Sequence, residues 1–206
     1  SFGRKLINKI MLKKIFLLLL IGSLTSGKAQ ETDLLSIPNP VEYDGTEFFL
    51  ARAKQRSKTL FQQQYIPKDE QLENFNQIID FSFFNKEIEM ELAVRQKVES
   101  VQSRKDDKFA KVNVTESPDG TEYIVDFYIS EAPEKGDSFI EYDIYRFKKF
   151  DNGTQKSFLM LNYAKRIYGD LKSAAKLLAK QRDQLMTGMI EYKIPEIKVL
   201  AVETKK

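Results

Sequence analysis

Apolar residues recur along this chain with two different periods, and the switches between them mark out its elements. Residues 30–46 are extended and partly irregular, because Pro38 and Pro40 forbid a helix and Tyr43-Asp44-Gly45-Thr46 reads as a turn. Residues 47–53, with Phe48, Phe49 and Leu50, and residues 59–66, with Leu60, Phe61, Tyr65 and Ile66, predict two strands. Pro67-Lys68-Asp69-Glu70 then reads as a helix entry, with Asp69 as the cap and Glu70 and Glu73 at the positive end of the helix dipole. Leu72, Phe75, Ile79 and Phe83 follow at steps of three and four, the spacing of one helix face. A second helix is predicted over residues 87–103, where Val94, Val98 and Val101 share a face near Ile88 and Leu92.

The pattern then changes to alternation. Residues 109–115 and 122–129 flank Ser117-Pro118-Asp119-Gly120 and predict a hairpin, with Tyr123, Val125, Phe127 and Ile129 on one face. Residues 138–150 and 156–168 predict a second hairpin, turned at Asp151-Asn152-Gly153. Asp170 caps a last helix whose stripe runs Leu171, Ala174, Ala175, Leu178, Arg182, Leu185, with one charged interruption, and Gly188 marks its end. Residues 189–200 form a short strand or a packed tail. The predicted order is β-β-α-α-β-β-β-β-α. The predicted class is α+β, an antiparallel sheet covered by helices, in a single domain over residues 30–206 with its core at about 40–187 and a tail at 188–206.

The first residues change what counts as that domain. Met11, Lys13 and Lys14 precede an apolar run at 15–21, and Gly27 and Ala29 stand at the small-residue positions of a cleavage site between Ala29 and Gln30. Residues 11–29 therefore read as a secretory signal peptide, and residues 1–10 as an upstream extension. The apolar run falls short of the roughly 20 residues a membrane span requires. The whole chain holds 33 Lys+Arg against 30 Asp+Glu, but six of the basic residues and none of the acidic ones lie in residues 1–29. The remaining 27 against 30 gives −3, so the basic balance belongs to the leader and gives no ground for nucleic-acid binding or membrane insertion after cleavage.

Two absences narrow the chemistry. With no Cys, an exported domain must be held by its core without disulfides. With no His, the Ser-His-Asp and Cys-His arrangements and the usual zinc sites are excluded, and acid–base work would fall to Asp, Glu, Lys or Tyr. No phosphate-binding loop and no EF-hand spacing is present. Neither a catalytic residue, a cofactor nor a metal is expected.

Four polar residues interrupt apolar strands and are the candidate binding residues: Asp126, Tyr142, Arg146 and Arg166. Suitable strand pairing would bring Asp126 and Arg146 together in a pocket. Alternation instead assigns Asp126 to a solvated face, because it is out of phase with Val125 and Phe127. The tyrosines of the β half, among them Tyr123, Tyr128, Tyr142, Tyr145, Tyr163 and Tyr168, are either ordinary strand residues or a row for carbohydrate or peptide.

The segment Tyr65-Ile66-Pro67-Lys68-Asp69-Glu70-Gln71-Leu72-Glu73-Asn74-Phe75 resembles small secreted bacterial proteins of unassigned function, in which such a junction leads into an α+β domain. More distantly, the layout over about residues 40–187 is similar to the PsbP-like α/β/α sandwich. That resemblance implies a non-enzymatic accessory or binding module and carries over no site residue. The expected protein is thus an exported binding protein of the bacterial envelope, periplasmic or secreted, whose partner is an envelope protein or a small ligand. A small carboxylate-dependent glycan hydrolase and a structural subunit, suggested by the apolar tail, are the alternatives.

Overall fold

The computed structural model describes residues 31–151 and 153–200. The upstream extension, the signal peptide and the cleavage site at Ala29 and Gln30 lie outside the described residues. Within them the order is β1 (Val41–Tyr43), β2 (Thr46–Gln55), β3 (Leu60–Ile66), β4 (Gln77–Phe84), α1 (Met90–Gln102), β5 (Lys111–Glu116), β6 (Glu122–Glu131), β7 (Phe139–Asp151), β8 (Lys156–Tyr168) and α2 (Leu171–Glu191). All eight strands join one antiparallel sheet in the order β1-β2-β3-β4-β8-β7-β6-β5, curled as a half-barrel.

This corrects the expected fold. The sheet dominates, the order is β-β-β-β-α-β-β-β-β-α, and two helices pack on parts of it in place of three that cover it. The layered sandwich that the PsbP-like resemblance implied is absent from the described residues. The predicted helix through Leu72, Phe75, Ile79 and Phe83 is where the reading failed. Ile79, Phe81 and Phe83 also alternate, and this second pattern prevails: they face Tyr163, Leu161 and Leu159 of β8 across the ladder. Both faces of β4 are covered near its centre, so Ile78 and Ile79 are both buried and the strand shows a run of apolar residues instead of a clean alternation. Leu72 and Phe75 lie in the preceding turns and pack with Ile66, Ile78 and Ala164. Glu70 does not serve a helix; its Oε2 accepts the backbone N–H groups of Asn76 (2.6 Å) and Gln77 (3.1 Å) at the entry to β4.

The two helices lie on opposite faces. α2 packs on β7 and β8, burying Ala174, Leu178, Leu185, Met186 and Met189 against Tyr142, Ile144, Leu161 and Tyr163. Asp170 caps it as expected, accepting from the Ser173 N–H at 2.8 Å. The helix runs through Gly188, the expected stop, to Glu191, and a Cβ at Gly188 would meet the Tyr43 ring at ordinary contact distance. The tail then crosses this face: Lys198 and Leu200 donate backbone N–H bonds to the carbonyls of Leu35 (3.0 Å) and Leu34 (2.9 Å). α1 packs over β5, β6 and β7 on the other face, where Met90, Val94 and Val101 meet Val125, Phe127, Phe147 and Phe158.

Candidate functional site

The four residues singled out in the sequence fall into three environments. Asp126 lies on the α2 face and is fully buried. It accepts two parallel bonds from Arg182, Nε to Oδ2 and Nη2 to Oδ1, both at 2.9 Å, and a third from the Tyr142 hydroxyl at 3.0 Å. Burial first, and then the Asp126 charge, hold the Tyr142 hydroxyl far above the usual phenol range, so it remains a donor. Asp126 and Tyr142 therefore come together around Arg182, the charged interruption in the α2 stripe, and not, as expected for Asp126, with Arg146.

Arg146 shares the α2 face and answers to different groups. It pairs with Glu122 and donates to the carbonyls of Met189 (3.0 Å) and Tyr192 (2.9 Å), where α2 runs out of backbone donors. Arg166 lies on the α1 face, paired with Glu141 and stacked 3.8 Å from the Phe75 ring centroid and 4.3 Å from that of Phe139. Each of these arginines tethers one element to another. Tyr142 and Tyr163 are core residues at 0% and 1% exposure, which removes them from any surface row.

The arrangement that the sequence reading missed is on the α1 face. Strand register sets Tyr145, Asn162, Asp80, Gln64 and Arg52 directly opposite one another across β7, β8, β4, β3 and β2. Asp80 is buried and accepts from Gln62 (2.6 Å) and Ser82 (2.7 Å). Burial nevertheless raises its pKa, outweighing these bonds. One step away, Asp143 is buried under α1, with Oδ1 accepting from Asn162 at 3.0 Å. Burial, then the neighbouring Glu141 carboxyl, push Asp143 well above the carboxylate range. Its Oδ2 has no donor while both carboxyls are ionised; a proton on Asp143 gives it a bond to Glu141.

α1 brings Lys97 down onto this row. Its ammonium lies 3.8 Å from the Tyr145 ring centroid and 6.0 Å from that of Phe127. No carboxylate of the described residues is within ion-pair distance of it. Burial lowers its pKa in spite of the opposing pull of Asp143 and Asp80. Lys97 also lines a groove of about 330 Å³ between α1 and the sheet, whose other walls are Phe84, Ile88, Ala93, Gln96, Ser100, Phe158 and Met160. The signal for Lys97 was present in the sequence: it stands three residues after Val94 and four before Val101, on the apolar face of its own helix.

A second cavity, about 430 Å³, opens on the α2 face between the β5–β6 turn and Ile190, with Arg146 and Glu122 in its wall. Two of its carboxylates are strongly engaged. Burial pushes Glu122 up, but the bonds from Arg146 and Lys148 outweigh it and hold it below the usual range. Asp119, bonded by the Ser117 and Thr121 hydroxyls, is pulled down to about 2. Among the described residues no cluster of His, Cys, Asp and Glu could hold a metal ion, and no helix is long and apolar enough to cross a membrane.

No curated protein and no solved structure matches the chain. A protein-family model matches residues 35–194, well over half of it. That span takes in all eight strands, both helices and the groove beneath α1, and the chain belongs to this uncharacterised family.

Proposed function

We propose that this protein is an exported, non-enzymatic binding protein of the bacterial envelope that holds a small ligand in the groove beside α1. The observation that carries this reading is Lys97, a half-buried ammonium facing aromatic rings, with no anion of its own, at the wall of a groove whose volume falls in the roughly 300–1,000 Å³ range of ligand pockets. A cation placed in this way costs stability, and a groove with apolar walls and a few convergent polar groups is the usual form of a small-molecule site.

The alternatives have less support. Glycan hydrolysis requires one carboxylic acid with a raised pKa opposite a second carboxylate. The groove beside α1 has no Asp or Glu among its described lining residues, and in the second cavity Glu122 and Asp119, two of the three carboxylates that line it, are shifted the wrong way for a general acid. A structural subunit would use an exposed apolar tail, whereas Tyr192, Ile194, Ile197 and Val199 pack against the core.

The test is purification of the form beginning at Gln30 from the native envelope fraction, with native mass spectrometry of the intact protein. A stoichiometric small molecule, lost from an Ala93→Leu variant that fills the groove, is the expected result. Protein that carries nothing, from cells where it is abundant and folded, overturns the reading.

A further inference from the structure

We infer that the ligand of the α1 groove is a small amphiphilic carboxylate, its anionic head against Lys97 and its hydrocarbon body along Phe84, Phe158 and Met160. The inference rests on the groove being the binding site and adds the chemical class of what fills it.

The argument starts from how the polar groups are distributed. They lie on one wall: Gln96, Lys97 and Ser100 are three positions of a single helix, while Phe84, Ile88, Ala93, Phe158 and Met160 make up the rest. The Ser100 hydroxyl already donates to the Lys97 carbonyl at 2.7 Å, so toward a ligand its oxygen is an acceptor. The donors left for the ligand are the Lys97 ammonium and the Gln96 amide. This one-sided arrangement matches a molecule polar at one end and apolar along its length. A sugar, with hydroxyls on every side, would leave most of them unpaired against Phe and Met.

Charge fixes the sign of the head. The Lys97 ammonium is the one charged group among the described groove-lining residues. The carboxyls whose charge reaches it, Asp143 and Asp80, lie beyond ion-pair distance; Asp80 is bonded by Gln62 and Ser82, and Asp143 by Asn162 at Oδ1 while its Oδ2 has no donor. A monoanion supplies the partner the ammonium lacks, in a charge-assisted bond beside apolar walls. A cationic head would face Lys97 across low dielectric, and a neutral head would leave the ammonium as it is.

The experiment titrates purified, delipidated protein with decanoate, decyltrimethylammonium and decanol, three probes with the same tail and a different head, by calorimetry and amide chemical-shift mapping. Decanoate is expected to bind most tightly and to shift amides of α1 and β8. Lys97→Met should weaken decanoate about tenfold to a hundredfold, the worth of a charge-assisted bond, and leave decanol within about twofold. Ala93→Leu should abolish binding of all the probes while unfolding at the wild-type denaturant midpoint. Equal or tighter binding of decanol or of the cation, still blocked by Ala93→Leu, overturns the anionic class and leaves the binding-site reading standing. Decanoate binding that is indifferent to both substitutions overturns the inference, as does absence of decanoate binding.

Discussion

On the α2 face, the buried Asp126 receives both arms of Arg182 and the Tyr142 hydroxyl, and Arg146 closes the carbonyl end of α2 while pairing with Glu122. On the α1 face, Lys97 meets ring faces instead of a carboxylate, and Asp143 keeps one oxygen without a donor unless it takes up a proton. Charged residues are thus buried on both sides of one sheet: those of the α2 face are paired, although the Tyr43 and Tyr128 hydroxyls there have no partner, whereas on the α1 face Arg166 and Glu141 pair but Lys97 and one oxygen of Asp143 do not. Complete pairing fixes where a helix docks. Incomplete pairing costs stability, and such a cost is expected where a site answers to something outside the chain.

The sharpest way to break this contrast is to remove one arm from each face. Arg182→Met leaves Asp126 charged and fully buried without its main partner, and should cost about 3–5 kcal/mol in urea unfolding. Asp126→Asn should cost less, because the Arg182 side chain is 33% exposed and can turn to water. If the two substitutions cost the same, the pair is not as asymmetric as its burial indicates.

A smaller effect is expected at Asp143, and it depends on pH. Because the folded-state pKa is raised, the group contributes most stability below the ordinary carboxylate value of 3.8, and that contribution is lost as the pH rises through the raised value. Wild-type protein should therefore lose stability above about pH 4 by this route. Asp143→Asn, which retains a side-chain oxygen to accept from Asn162, should flatten that part of the profile and exceed wild type in urea midpoint at neutral pH. An unchanged profile would place the charge elsewhere in the cluster.

The smallest expected change is the most telling. Lys97→Met should leave stability within about 1 kcal/mol of wild type, or raise it, since it removes a desolvated charge and keeps the packing of its stem. A loss comparable to that of Arg182→Met would make Lys97 a structural tether and erase the difference between the faces.

The β half of the fold was legible because its hairpins are local: the Ser117–Gly120 turn and the alternation of Tyr123, Val125, Phe127 and Ile129 lie within one stretch of chain. β4 was not, because a strand covered on both faces loses its period, and Ile78-Ile79 next to Phe81 and Phe83 satisfies a helix spacing as well as a strand spacing. The same two-sided burial misled the reading of Asp126. Out of phase with Val125 meant the other face of the sheet, and that face is core. The irregularity of Arg182 in its stripe and that of Asp126 in its strand were each visible. That they answer one another depends on the packing of residues 56 positions apart, which no local period reports. Lys97 was visible as a charge on an apolar helix face, but its meaning depends on Tyr145 and the polar row beneath it, and those meet only through the register of five strands.

The backbone bonds from Lys198 to Leu35 and from Leu200 to Leu34 tie together the two ends of the described chain. Tension applied at those ends would load these two bonds, like the last stitches of a seam, before it reached the sheet. The entry and exit of the chain also meet on the α2 face, and the groove beside α1 belongs to the opposite one. Anything fused to or anchored through residues near Leu34 or Leu200 would therefore leave the groove turned toward the surroundings, as a reader head mounted on a single post.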